Sequence, residues 1–384
     1  MFQRPQHLLS RCARNHRVFF IEEPVYEDDG TEPWMSVLAT DNGVHVTVPH
    51  LPERYRGENS RPLRALLDRT IAEHRIRPDV LWYYTPMALH FSDHLSARAV
   101  VYDCMDELSG FVGAPPGLID AERTLLGRAD LVFTGGRSLY EAKKHRHSNI
   151  HAFPSSVDVA HFAQARRADI PDPDDQARFP RPRVGFFGVL DERFDSALIG
   201  AVARLRPDWQ IVLVGPTVKI EPASLPHEAN IHYLGQKAYT DLPAYLSGWD
   251  VAMLPFAKNH STQFISPTKT PEYLAGGKPV VSTSITDVVH PYGDLGLARI
   301  ADTPEAFVAA VTACLAEDAS DRLRRADRLL ATMSWDATWA AMADHIRALG
   351  RKETPACSIT SSSEPASLEQ SWQNVSPPLQ AKRS

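Results

Sequence analysis

The sequence predicts an α/β protein built from two doubly wound domains, and three features carry that expectation. Short, strongly apolar segments alternate with helical patterns along nearly all of its 384 residues. Those segments are apolar on both faces, as in parallel strands covered by helical crossovers rather than sheets with one wet side. A stretch rich in Pro, Asp and Arg, residues 166 to 183, then splits the alternation into two halves. Each half is long enough to bury its own core.

In the first half the expected strands are 17–21, 44–48, 80–84, 99–102 and 131–134, with helical patterns over 62–74 and 118–126. The second half resumes with strands at 184–188, 211–214, 251–254 and 280–282. Ser334 begins a capped helix with Trp335 and Trp339 on an apolar pattern that runs to Leu349. From residue 350 the chain is Ser-, Pro- and Gln-rich, with little that could pack, and a disordered tail is expected. The division is therefore 1–165, a linker over 166–182, 183–333, the terminal helix over 334–349, and the tail over 350–384.

Composition excludes several classes. A net charge of −6 with no dominant basic cluster argues against a nucleic-acid partner. The four cysteines, Cys12, Cys104, Cys314 and Cys357, lie far apart, without the paired spacing of a zinc site or a disulfide framework. No apolar run approaches membrane-spanning length, and Met1-Phe2-Gln3-Arg4-Pro5 does not open a secretory signal, so a cytoplasmic location is expected. No metal site is expected: Asp172-Pro173-Asp174 imitates a metal-binding pair but lies in the linker around a rigid proline. The sixteen histidines form no helix-spaced pair with a carboxylate partner.

The most informative segment is 266–282. It sets Lys269 and Glu272 one helical turn apart, near a helix start that follows a buried strand. Free N–H groups and the positive dipole end attract phosphate there, and a lysine adds a full charge. Ser266 and Thr268 could donate hydrogen bonds to phosphate, although Ser266 before Pro267 also suits a helix cap. The helix start itself is open, either at Pro267 with a bend or at Pro271 behind Thr270. An ordinary capped helix with solvated Lys and Glu is the competing explanation. Arg193 follows a strand ending at Gly188, at the carboxyl end where open α/β sheets bind ligands. Gly188 would let backbone approach a ligand, while Arg193 could equally form a surface pair with Asp191 or Glu192. In the first half, Asp103 and Asp106 follow a strand directly and could face a cleft as a base, against the alternative of helix capping.

Three of these segments, in order, resemble the GT-B glycosyltransferases, specifically bacterial family-four and family-one enzymes of surface polysaccharide synthesis. They are Gln3-Arg4-Pro5-Gln6-His7-Leu8-Leu9-Ser10-Arg11, Val184-Gly185-Phe186-Phe187-Gly188 with its loop to Arg193, and the 266–282 segment. The resemblance implies two Rossmann-like domains facing across a cleft, the first binding the acceptor and the second the donor. It implies metal-independent transfer of a sugar from a nucleotide-diphosphate-sugar to a hydroxyl of a saccharide or lipid-linked acceptor. Gly188, Arg193, Ser266, Thr268, Lys269 and Glu272 would bind the donor, with Asp106 or Asp103 as catalytic base. No cofactor is implied beyond the sugar nucleotide as co-substrate. Lipid-linked acceptors would also bring the protein to the inner membrane face as a peripheral visitor. The terminal helix would cross back onto the first domain.

The pattern departs from the family twice. The chain starts inside the Gln-Arg-Pro segment, so the first strand of the first domain is expected to be missing. Phe264 also stands eight residues before Glu272, where retaining enzymes carry the first of two glutamates. Two other readings share the architecture: a sugar-nucleotide 2-epimerase, and a truncated, non-catalytic sugar-nucleotide binding protein.

Overall fold

A computed structural model describes residues 3–218 and 220–350. Met1, Cys357 and the expected tail beyond residue 350 lie outside the described residues.

The first region contains eight strands, β1 (Val18–Ile21), β2 (Val25–Glu27), β3 (Trp34–Ala39), β4 (Val44–Pro52), β5 (Val80–Tyr83), β6 (Ala99–Cys104), β7 (Leu131–Thr134) and β8 (Ile150–Ala152). They form two four-stranded sheets, β1-β4-β2 with β3 paired to β4, and the all-parallel β5-β6-β7-β8. The two sheets nevertheless share their cores. Val18 and Phe20 pack in one layer with Val80 and Trp82, while Ile21 packs in the opposite layer with Leu81 and Tyr83. Alternate side chains of β1 and β5 thus feed the same two layers, yet no backbone ladder joins these strands among the described residues. The break in the sheet falls between them.

Not every strand is parallel. β3 runs antiparallel to β4, with Ala39 opposite His45 and Trp34 opposite His50. The reason is local: Gly43 takes φ +84, and Thr40 and Val44 close the turn through a 2.9 Å backbone bond. A turn this short can join only antiparallel neighbours. The Asp41-Asn42-Gly43 signal for it stands in the sequence, but the 44–48 segment alone did not reveal its partner.

The second region carries β9 (Arg183–Phe187), β10 (Gln210–Val214), β11 (Ile231–Tyr233), β12 (Val251–Leu254), β13 (Val280–Ser282) and β14 (Ala298–Ile300). They form one parallel sheet in the order β11-β10-β9-β12-β13-β14, so the chain reverses its winding beside β9. Gly185 on β9 lies under Trp249, where a Cβ would come within 1.9 Å of the indole. The three-residue β11 and β14 are too short to register as apolar runs in the sequence.

The stretch expected to be a linker is not a free connection. Asp174–Ala177 is helical, and Gln176 is fully buried. Its amide donates to Asp172 and to the Tyr245 carbonyl, and it accepts from the Trp249 indole at 2.8 Å. Arg183 adds an ion pair to Asp172 and bonds to the Phe179 carbonyl. Polar composition hid this packing, because the contacts that bury the segment are hydrogen bonds.

The terminal helix Trp335–Ala348 starts at Ser334, whose hydroxyl accepts from the Ala337 N–H at 3.0 Å. Trp335, Met342 and Ile346 enter the same layer as Leu8, Val18 and Trp82. The chain therefore ends its described course against the first region, beside the cleft.

Candidate active site

The cleft between the two regions is lined from both sides, and the end of β9 and the helix Lys269–Ala275 supply the second-region wall. These two elements are tied together: the Tyr273 hydroxyl accepts from the Phe187 N–H at 3.0 Å. Gly188 follows with φ +154, a conformation that favours glycine. A Cβ on Gly188 would sit 2.4 Å from Lys269 Cε. A side chain there would displace the lysine from its present place. The helix begins at Lys269 behind Thr268, between the two starts that the prolines suggested. Ser266 does not cap it, and no side chain does.

Ser266, Thr268, Lys269, Glu272 and Arg193 all line the cleft. Lys269 and Glu272 are half-buried, and neither the ammonium nor the carboxylate makes a hydrogen bond or ion pair among the described residues. The ammonium lies 5.9 Å from the centre of the Phe186 ring. Burial pushes the Lys269 pKa down, with Glu272 pulling the other way. Burial raises the Glu272 carboxyl to about 7, opposed by the Lys269 charge. Two ionisable groups held out of water without full partners are the expected signature of a binding or catalytic wall.

Arg193 combines both of its expected placements. Its Nε reaches Asp191 at 3.0 and 3.1 Å and its Nη2 at 2.6 Å, while the guanidinium lies 5.5 Å from the centre of the Phe111 ring. The Asp191 pair fixes the fork in the cleft wall and leaves Nη1 uncommitted among the described residues.

On the opposite wall the two aspartates part company. Asp106 lines the cleft, and its carboxylate has no hydrogen-bond partner among the described residues. Burial raises its pKa, while the Arg193, Arg4 and Lys269 charges oppose the shift. Asp103 is different, and its expected place as a cleft-facing base is corrected here. It is 0% exposed and is gripped by Arg4, whose Nη2 and Nε donate at 2.8 and 3.1 Å. Alternation along β6 explains the separation: Asp103 lies within the strand and points into the sheet layer, whereas Asp106 lies in the loop beyond its end. Arg4 also donates to the Phe153 carbonyl at 2.6 Å.

Several cleft residues were not singled out from the sequence. Gln3 and His7 reach the cleft from the Gln-Arg-Pro helix, Ser155, Ser156 and Asp158 from the segment after β8, and Tyr239 from the second region. The Gln-Arg-Pro motif was the available signal, but motif order alone gave no side-chain direction. His7 stacks on Trp335 at 4.6 Å, and burial lowers its pKa to about 4. The imidazole therefore stands neutral in the cleft. Phe264 is absent from the cleft lining and packs against the first region's core. The position of the first glutamate is thus taken by an apolar contact between the domains.

The chain is similar to several known proteins. Residues 181–317 match the family model described as glycosyl transferases group 1. The chain is 24% identical over 282 residues to a putative teichuronic acid biosynthesis glycosyltransferase, TuaH, of Bacillus subtilis strain 168, covering 67% of this chain and 68% of that one. Among solved structures, sucrose-phosphate synthase from Thermosynechococcus elongatus superposes with a TM-score of 0.69 at 15% identity, covering 90% of this chain and 92% of that one. HepE of Anabaena, solved with UDP and glucose, gives 0.62 at 16% identity, over 86% and 99% of the two chains. The solved structures give the chain the GT-B architecture, and the family-model match and the Bacillus subtilis relative support a glycosyltransferase on that fold. The matched region contains β9 to β14 and the Lys269–Glu272 wall, which places the group 1 similarity on the second domain.

Proposed function

We propose that this glycosyltransferase takes its sugar from a nucleotide-diphosphate-sugar held by the second domain and delivers it to a hydroxyl of a saccharide or lipid-linked acceptor held against the first. The observation that carries the reading is Lys269 and Glu272 on one wall facing Asp106 on the other, their charged groups without hydrogen-bond or ion-pair partners among the described residues. Lys269 stabilises the charge that grows on the leaving diphosphate, with Arg193 as the second cation and Ser266 and Thr268 as hydroxyl donors. Glu272 accepts hydrogen bonds from ribose hydroxyls, and Gly188 keeps Lys269's place clear. Asp106 takes the acceptor proton where a base is used. HepE was solved with UDP and glucose, and the TuaH description points to polysaccharide synthesis; both support this substrate class. Among the described residues no helix is long and apolar enough to cross a membrane. Work at the cytoplasmic membrane face, on a lipid-linked acceptor, belongs to the same proposal.

The test is nucleoside diphosphate release from UDP- and GDP-sugars, with and without saccharide acceptors. Acceptor-dependent release supports transfer, and an epimerised donor without acceptor supports the isomerase reading instead. Side chains supply the positive charge in this mechanism, so no metal or cofactor is called for. Turnover should be the same in EDTA as in magnesium. Loss in EDTA that magnesium restores would refute the metal-independent part.

Glu272 gives the reaction a pH signature. Its carboxyl, raised to about 7 in the ligand-free protein, is neutral below that pH and charged above it. The charged form offers both oxygens as acceptors to the ribose hydroxyls, whereas the neutral form turns one of them into a donor. kcat/KM should therefore climb as pH rises through about 7 and then level off. In Glu272→Gln the same profile should be flat over that range, and a step that persists there would assign the titration to another group.

A further inference from the structure

We infer that Asp287 is a positioning residue: it latches the second domain to the first so that Asp106 faces the Lys269–Glu272 wall at a fixed separation. This rests on the donor site proposed above. Asp287 belongs to the short helix Thr286–Val288 just after β13, and it is 6% exposed. Its carboxylate crosses the domain boundary. Oδ2 accepts from the Arg137 N–H at 3.0 Å and Oδ1 from the Ser138 N–H at 2.9 Å, both at the start of the first-domain helix Arg137–Lys143. Two charge-assisted bonds to rigid backbone, largely shielded from water, hold position as well as contributing energy.

The contact is close enough to require glycine. A Cβ on Gly136 would lie 2.2 Å from Asp287 Oδ2 and 2.8 Å from the Ser266 Cβ. The same turn therefore touches both the latch and the first residue of the donor segment. Its neighbour Gly135 lines the cleft, and a Cβ there would come within 2.4 Å of the Met105 carbonyl oxygen, one residue from Asp106.

The far end of the latched helix reaches the same loop. Lys143 is buried and pairs at 2.7 Å with both Glu107 and Glu122. Glu107 is the residue after Asp106. The helix is thus a strut, held by Asp287 of the second domain at its start and gripping the neighbour of Asp106 at its end. Neither Asp287 nor Gly136 lines the cleft; Asp287 can be changed without touching the groups that contact substrate, whereas a Cβ at Gly136 also presses on the Ser266 side chain.

The test compares Asp287→Ala, Gly136→Ala and their combination in the full chain. Gly136→Ala leaves the carboxylate in place and wedges the latch apart by bulk, so it guards against a fold defect peculiar to Asp287→Ala. Three quantities are read: UDP affinity by calorimetry, kcat for acceptor-dependent release, and the radius of gyration by small-angle scattering. In Asp287→Ala the UDP affinity should stay within about twofold of the parent, because its contacts lie within one domain, while kcat falls about tenfold or more in both single variants as the reacting groups lose register. Both single variants should scatter as larger particles, and the combination should be no worse than either alone. Asp287→Asn, which keeps one acceptor oxygen, should fall between parent and Asp287→Ala. The latch is overturned if kcat is unchanged in both single variants, if UDP affinity falls in step with kcat in Asp287→Ala, or if activity is lost with unchanged scattering. If the parent protein binds neither UDP nor GDP, the donor reading fails instead, and scattering alone then decides the latch.

Discussion

Lys269→Ala is expected to lower kcat by about a hundred- to a thousand-fold, the usual effect of removing one preorganised charge from a transition state. The ammonium stands in the cleft wall without a hydrogen-bonding or ion-pair partner among the described residues, on a helix start tied to β9 through Tyr273. Its position is set before substrate arrives, so little reorganisation remains when the diphosphate departs. Ground-state affinity should suffer less than rate, because the charge on the leaving oxygens grows as the glycosidic bond breaks. Steady-state kinetics beside UDP titrations separates the two. An alanine variant that turns over at the parent rate would remove Lys269 from the mechanism, whatever happened to binding.

The second large effect is on folding. Asp103→Ala strands the Arg4 guanidinium in a site where Asp103 is 0% and Arg4 4% exposed. Removing one partner of a buried pair costs about 3–5 kcal/mol, since the remaining charge loses its counterion without regaining water. Arg4 also donates to Phe153 and approaches Met342 Sδ at 4.0 Å, so the loss reaches the segment after β8 and the terminal helix. Urea unfolding followed through first-domain tryptophan fluorescence should shift to lower denaturant, with UDP affinity kept. Replacing both partners, Arg4→Met with Asp103→Leu, should recover part of the loss. A single variant as stable as the parent would show that the pair contributes nothing, and a variant that stays folded and loses only turnover would restore Asp103 as a base.

Much of the architecture was legible in the chain. Val184 to Phe187, Ile211 to Val214 and Val251 to Leu254 are apolar on both faces, and a strand with that character must lie inside a covered parallel sheet. The helix start in the 266–282 segment was legible too: the sequence set Lys269 close to it, and the helix begins at Lys269 on the cleft wall. The antiparallel β3 and the packed 166–182 stretch were not. Their partners are distant or polar, and periodicity reports neither.

What the sequence determined by itself is the set of apolar periods, and through them the two α/β halves, together with the residue types able to meet a diphosphate. Tertiary structure decided which of those residues meet. Asp103 and Asp106 are three positions apart in one motif, yet the pleat of β6 sends the first into an ion pair and the loop beyond it brings the second to the cleft. Asp287 and Arg137 are 150 residues apart in sequence, and nothing local marks either as a partner. Side-chain direction and long-range contact depend on how whole layers pack, and a linear pattern carries no record of that.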